Sequence, residues 1–103
     1  MFGDMFGNME ERQQEMREKL AQFVIEAEAG DGAVKVTANA NREITNLSID
    51  RDKLDWDDPE SVEDMVLIAV NRALEKAAEK EGEESQKMLN DMLPPGLAGM
   101  FGG

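Results

Sequence analysis

Residues 65–70 read Met-Val-Leu-Ile-Ala-Val, and they lie in a stretch whose spacing predicts a helix. Val62, Met65, Val66, Ala69, Val70, Ala73, Leu74 and Ala77 recur at steps of three and four and form one stripe. Leu67 and Ile68 lie off that stripe, so the helix is apolar nearly all round. A helix greasy on two sides is buried on two sides. A chain of 103 residues has room for one domain, here 1–103, and must find both coverings within itself or in a partner.

The rest of the chain supplies one covering. Phe2, Phe6, Met9, Gln13, Met16 and Leu20 mark an amphipathic first helix from about Met5 to Ala21, with a Met-dominated stripe. From Gln22 the period falls to two: Phe23, Ile25 and Ala27 alternate against Val24, Glu26 and Glu28, and Gly30-Asp31-Gly32 makes a turn. Val34, Val36 and Ala38 form a second strand, Asn39 to Arg42 a second turn, and Ile44 to Ile49 a third strand on which Leu47 and Ile49 share a face. Short turns join antiparallel neighbours, so the middle of the chain is a three-stranded antiparallel meander with one greasy face. Asp58-Pro59-Glu60-Ser61 announces the last helix, and Pro94-Pro95-Gly96 stops it after roughly 30 residues, or about 45 Å. The charge-dense run around Gly82 is expected to be marginal helix that projects beyond the sheet. The ends, about 1–7 and 94–103, are expected to be flexible.

The expected fold is therefore α+β in the order α-β-β-β-α. One helix on a meander leaves apolar surface that a monomer of this size cannot hide, so the chain is expected to be a homodimer. Met65, Val66, Leu67, Ile68 and Val70 are the candidate interface residues. A two-fold dimer would also bury a sheet edge or join two sheets.

Composition narrows the function. The core is aliphatic, with 41% hydrophobic residues but only 5% aromatic ones. With no Cys and no His, disulfides, thiolate nucleophiles, the usual zinc sites and imidazole acid-base catalysis are excluded. No metal, cofactor or catalytic residue is expected, and the protein reads as no enzyme. Gly30-Asp31-Gly32 lacks the third glycine and following helix of a dinucleotide loop and is read as a hairpin turn. Asp50, Asp52, Asp55, Asp57 and Asp58 lack the calcium-loop pattern, because Leu54 stands where an oxygen ligand is needed. They read as a solvated, capping loop. Trp56 beside Leu54 reads as an anchor that holds this loop to the core. No apolar run reaches the roughly 18–20 residues that span a bilayer, so a cytoplasmic protein without membrane contact is expected.

The net charge of −12 argues against a generic basic patch. The basic residues Arg12, Arg17 and Lys19, then Lys35, Arg42, Arg51 and Lys53, then Arg72, Lys76, Lys80 and Lys87, each lie among acids. A solvated mixed-charge face is the default reading of them.

Order and spacing add a further indication. MFG at the start, Gly32 to Thr37 (GAVKVT), Ile49-Asp50, Asn71 to Ala73 with Lys76, and Leu93 to Gly96 (LPPG) follow one another along the whole chain. In this the sequence resembles the YbaB/EbfC family of bacterial nucleoid-associated DNA-binding proteins. The resemblance implies a homodimer with projecting helices, located in the nucleoid, that binds duplex DNA with little sequence preference and regulates gene expression. It nominates Arg12, Arg17, Lys19, Arg72, Lys76, Lys80 and Lys87 as DNA-contacting residues. A dimer would carry about −24, twice −12, so weak, salt-sensitive binding is expected. The alternative is an acidic protein-interaction or assembly module, docking a protein partner through the Met-rich stripe and the Met-Phe-Gly tails without direct DNA binding.

Overall fold

The computed structural model describes Phe2–Met92, with side chains from Asn8 onward. The elements follow the expected order: α1 (Phe2–Ala21), β1 (Ile25–Ala29), β2 (Val34–Ala38), β3 (Ile44–Ile49), a short 3-10 turn (Arg51–Lys53) and α2 (Pro59–Met92). Helix α1 starts before the expected Met5, since its backbone is already helical at Phe2. Extending a formed helix adds one hydrogen bond for each residue fixed, which tolerates the glycines at 3 and 7. The expected C-terminal tail, 94–103, lies outside the described residues. Strand β1 begins at Ile25, three residues after the point at which the alternation sets in, because the amides of Gln22 and Phe23 close the end of α1 on Lys19 O and Leu20 O.

The sheet has the order β1-β2-β3, with both pairs antiparallel. Ala27 pairs with Val36 and Val36 with Leu47, while Ala29 pairs with Val34 and Val34 with Ile49. These residues share one face because side chains alternate along a strand. Ala27, Ala29, Val34, Val36 and Ala38 form the core with Ala69 and Ala73 of α2, and Met65, Val66 and Val70 pack partly against it. The fully buried alanines at 69, 73 and 77 let the helix lie close on the sheet.

Both hairpin turns use left-handed backbone. Gly30, Asp31 and Gly32 have φ of 64°, 53° and 84°. At Gly30 a side chain is excluded twice, since a Cβ would also stand 2.7 Å from Met65 Sδ. In the second turn Asn39 Oδ1 accepts from the amides of Asn41 (2.9 Å) and Glu43 (3.3 Å), and Arg42 takes φ 62°. This turn also finishes α1: the Ala40 amide donates to Leu20 O (3.0 Å) and Asn41 Nδ2 to Arg17 O (2.8 Å). Both bonds pin the second turn to the end of the helix, adding a donor to Leu20 O, which also accepts from the Phe23 amide, and a side-chain donor to Arg17 O.

Helix α2 starts as its sequence dictates, with Asp58 Oδ1 accepting from the Ser61 amide at 3.3 Å and proline at the first helical position. It runs 34 residues, about 51 Å, straight through Gly82. It lies over β1 and β2 and scarcely reaches β3. The inner face of β3 is left open, with Ile44 40% and Leu47 39% exposed. The C-terminal half of α2 projects past the sheet, in a chain measuring 63 × 34 × 18 Å.

Candidate nucleic-acid interface

Helix α1 runs antiparallel to the projecting half of α2: Lys19 meets Glu84 near the sheet, while Met9 and Met92 line the same groove farther out. That groove has a volume of about 550 Å³ and an apolar floor of Met9, Met16, Leu20, Met88 and Met92. Arg12, Gln13, Arg17 and Asn41 stand along it, and Glu43 is the one acidic residue of its described lining. On the other side of the helix pair a smaller furrow of about 270 Å³ brings Arg12 and Lys19 beside Glu15 and Asp91. The arm is acidic like the rest of the protein, but the groove between its helices is lined by Arg12 and Arg17 with Glu43 as the single acid of its described lining.

The nominated basic residues divide into three groups. Arg12 and Arg17 are exposed and form no ion pair among the described residues. Lys19 and Lys87 both face Glu84, at 3.9 and 3.7 Å, and Lys80 lies 3.7 Å from Glu83 and 4.6 Å from the centre of the Phe23 ring. Arg72 and Lys76 donate to the backbone carbonyls of Glu28 and Glu26, each at 2.9 Å. These carbonyls belong to β1, an outer strand of the sheet, so Arg72 and Lys76 cover a strand edge that would otherwise be free to pair.

The candidate interface residues divide as well. Met65, Val66 and Val70 are partly buried against the sheet, whereas Leu67 and Ile68 are 59% and 44% exposed. At 3.6 residues per turn, Ile68 shares the flank of Arg72, above β1, while Leu67, Val70 and Leu74 lie on the opposite flank, towards β3.

The acidic loop acts on itself. Asp50 Oδ1 accepts from the Asp52 amide (3.1 Å) and Asp55 Oδ1 from the Asp57 amide (3.0 Å), which with Asp58 accounts for three of the five aspartates as local caps. Trp56 differs from the expected anchor: its indole donates to Arg51 O at 3.1 Å, but its ring is 53% exposed. Leu54 is the loop residue packed against the core. The flat ring of Trp56 is spent within the loop because the short 3-10 turn brings Arg51 O, and not the sheet, within its reach.

Glu84 and Asn41 were missed from the sequence. Glu84 hides in a run of charge, yet it continues the buried stripe Ala73, Ala77 at helical spacing, and that continuation is the signal that could have found it.

These features define a small α-β-β-β-α subunit that presents cations from a helical arm. The chain belongs to the YbaB/EbfC DNA-binding family, whose profile matches residues 1–92. That family is a DNA-binding one and not a family of enzymes. The chain is 43% identical over 89 residues to a nucleoid-associated protein of Thermoanaerobacter pseudethanolicus, covering 86% of this chain and 80% of the relative. It is 41% identical over 91 residues to a nucleoid-associated protein of Anaeromyxobacter dehalogenans, covering 88% of each. Among solved structures, an uncharacterized protein from Helicobacter pylori shares the fold, with a TM-score of 0.70 at 23% identity over 85% of this chain and 92% of that one. Among the described residues, no helix is long and apolar enough to cross a membrane.

Proposed function

We propose that two copies of this chain form a nucleoid-associated protein that binds duplex DNA through phosphate contacts, with little sequence preference, in the cytoplasm, and regulates gene expression by doing so. The observation that carries the reading is the pair Arg12 and Arg17, exposed beside a groove whose described lining holds one acid. Guanidinium groups that are not already paired can reach phosphate oxygens without first giving up a partner. Contacts to phosphate fix position but carry no sequence information, which supports broad binding. Lys19, Lys80 and Lys87 are further contact candidates that must leave a glutamate first, and Arg72 and Lys76 contribute least because they hold the β1 edge. The dimer forms over the uncovered face of β3 and the Leu67 flank of α2.

The test is fluorescence anisotropy of a labelled duplex titrated with protein at low and physiological salt. Saturable binding that weakens steeply with salt supports the proposal, since each phosphate contact adds about 0.9 to the log–log slope. No binding at low salt overturns it. The methionine floor of the groove favours one second reading, docking of an amphipathic segment of a protein partner, because Met packs adaptably against varied apolar surfaces. Failure of the DNA titration would put that reading first.

A further inference from the structure

Glu84 is a charged side chain in the wrong kind of place. It projects from an exposed arm, yet the residue is only 4% exposed, and its Oε2 has no hydrogen-bond partner among the described residues. The ammonium groups nearest to it, Lys87 at 3.7 Å from Oε1 and Lys19 at 3.9 Å from Oε2, stand beyond the roughly 2.7–3.2 Å of an N–H···O hydrogen bond. Both lysine side chains are more than half exposed. Two cations therefore face solvent while one buried carboxylate holds them from beneath by charge alone. A buried carboxylate short of hydrogen bonds is costly, and more so if its cations leave.

We infer that Glu84 is an internal competitor for phosphate, occupying Lys19 and Lys87 and lowering the affinity of the arm for DNA. The inference rests on the DNA-binding reading proposed above. A phosphate oxygen offers each lysine a full charge-assisted hydrogen bond. To take it, the lysine must desert Glu84, and the unpaired carboxylate discounts the gain. Glu81 and Glu83 play no such part, because Glu81 is paired with Arg42 at 3.5 Å and Glu83, paired with Lys80, is well exposed.

The experiment compares wild type, Glu84→Gln, Glu84→Met and Glu79→Gln by anisotropy on one labelled duplex across a salt series. Glu79 is exposed and forms no ion pair among the described residues, so its variant removes the same charge without freeing a lysine. Gln and Met both favour helix, and thermal melts by circular dichroism identify any variant that does not fold, the other then carrying the test. Freeing two lysines per subunit should steepen the log–log salt slope by about two per subunit and tighten binding on the order of ten-fold at 0.1 M salt. Glu79→Gln should tighten it less than about two-fold, since exposed charges are screened within about 10 Å. Adding Lys19→Ala and Lys87→Ala to Glu84→Gln should abolish the gain. Equal gains from the variants at 84 and 79 would reduce the effect to net charge and overturn the inference while leaving DNA binding intact. Weaker binding by the variants at 84 would make Glu84 a support for the lysines and overturn it too. If wild type and every variant fail to bind, direct DNA contact falls and the competitor role falls with it.

Discussion

At the scale of single residues, Gly30 and Gly82 face opposite demands. Gly30 sits at φ 64° with Met65 Sδ 2.7 Å from where a Cβ would go, so Gly30→Ala combines left-handed strain with a clash and should destabilise by about 1–3 kcal/mol. Gly82 lies inside α2 with nothing among the described residues within 4 Å of a Cβ, so Gly82→Ala should stabilise by about 0.5–1 kcal/mol. Urea unfolding checks both, with midpoints moving in opposite directions and unchanged slopes. The Gly30 turn was legible in the sequence, because Gly-Asp-Gly between two alternating runs is turn chemistry. The burial of Glu84 was not, because its neighbours Glu81, Gly82 and Glu83 suggest a solvated surface. The contact that reaches Glu84 from elsewhere in the chain is Lys19 of α1, whose last turn is held in place by Asn41 and Ala40.

At the scale of elements, every helix and strand of the fold was readable, because each carries its own period and its own punctuation. What neighbouring residues could not disclose were the contacts that cross the chain. Arg72 and Lys76 reach carbonyls 44 and 50 residues earlier in sequence, and that reach gives these two DNA-contact candidates a structural task at a strand edge as well. The double variant Arg72→Ala, Lys76→Ala should expose the outer carbonyls of β1 and promote self-association, visible as light scattering that climbs with protein concentration. Its salt slope for DNA should stay that of wild type. By contrast, Arg12→Ala and Arg17→Ala should each flatten the slope by about 0.9 per subunit, without altering the melting temperature by more than a few degrees.

At the scale of the whole molecule, the two-sided helix that first constrained the fold is only half explained by one subunit. The sheet covers Ala69 and Ala73, and the flank bearing Leu67 stays open beside the bare face of β3, where Leu47 and Ile44 are about two-fifths exposed. Ile68 lies on the other flank, with Arg72 over the guarded β1 edge, so the two apolar residues that the sequence placed together belong to different surfaces. A partner subunit seated on the β3 side would bury Leu47 and Leu67 together. Leu67→Glu and Leu47→Glu should therefore each convert a two-subunit mass in light scattering to that of one subunit, while Ile68→Glu should leave the pair intact. The same variants separate assembly from DNA contact. Leu67 stands about 32 Å along α2 from Met88 and the groove, at 1.5 Å per residue, too far to touch Arg12 or Arg17 directly. Loss of the second subunit should then halve the salt slope and weaken binding, because in the proposed dimer the phosphate contacts come from two arms held at one site. A monomeric Leu67→Glu protein that kept the full slope would mean that one arm makes all the contacts, and the two-armed reading of this dimer would have to be abandoned.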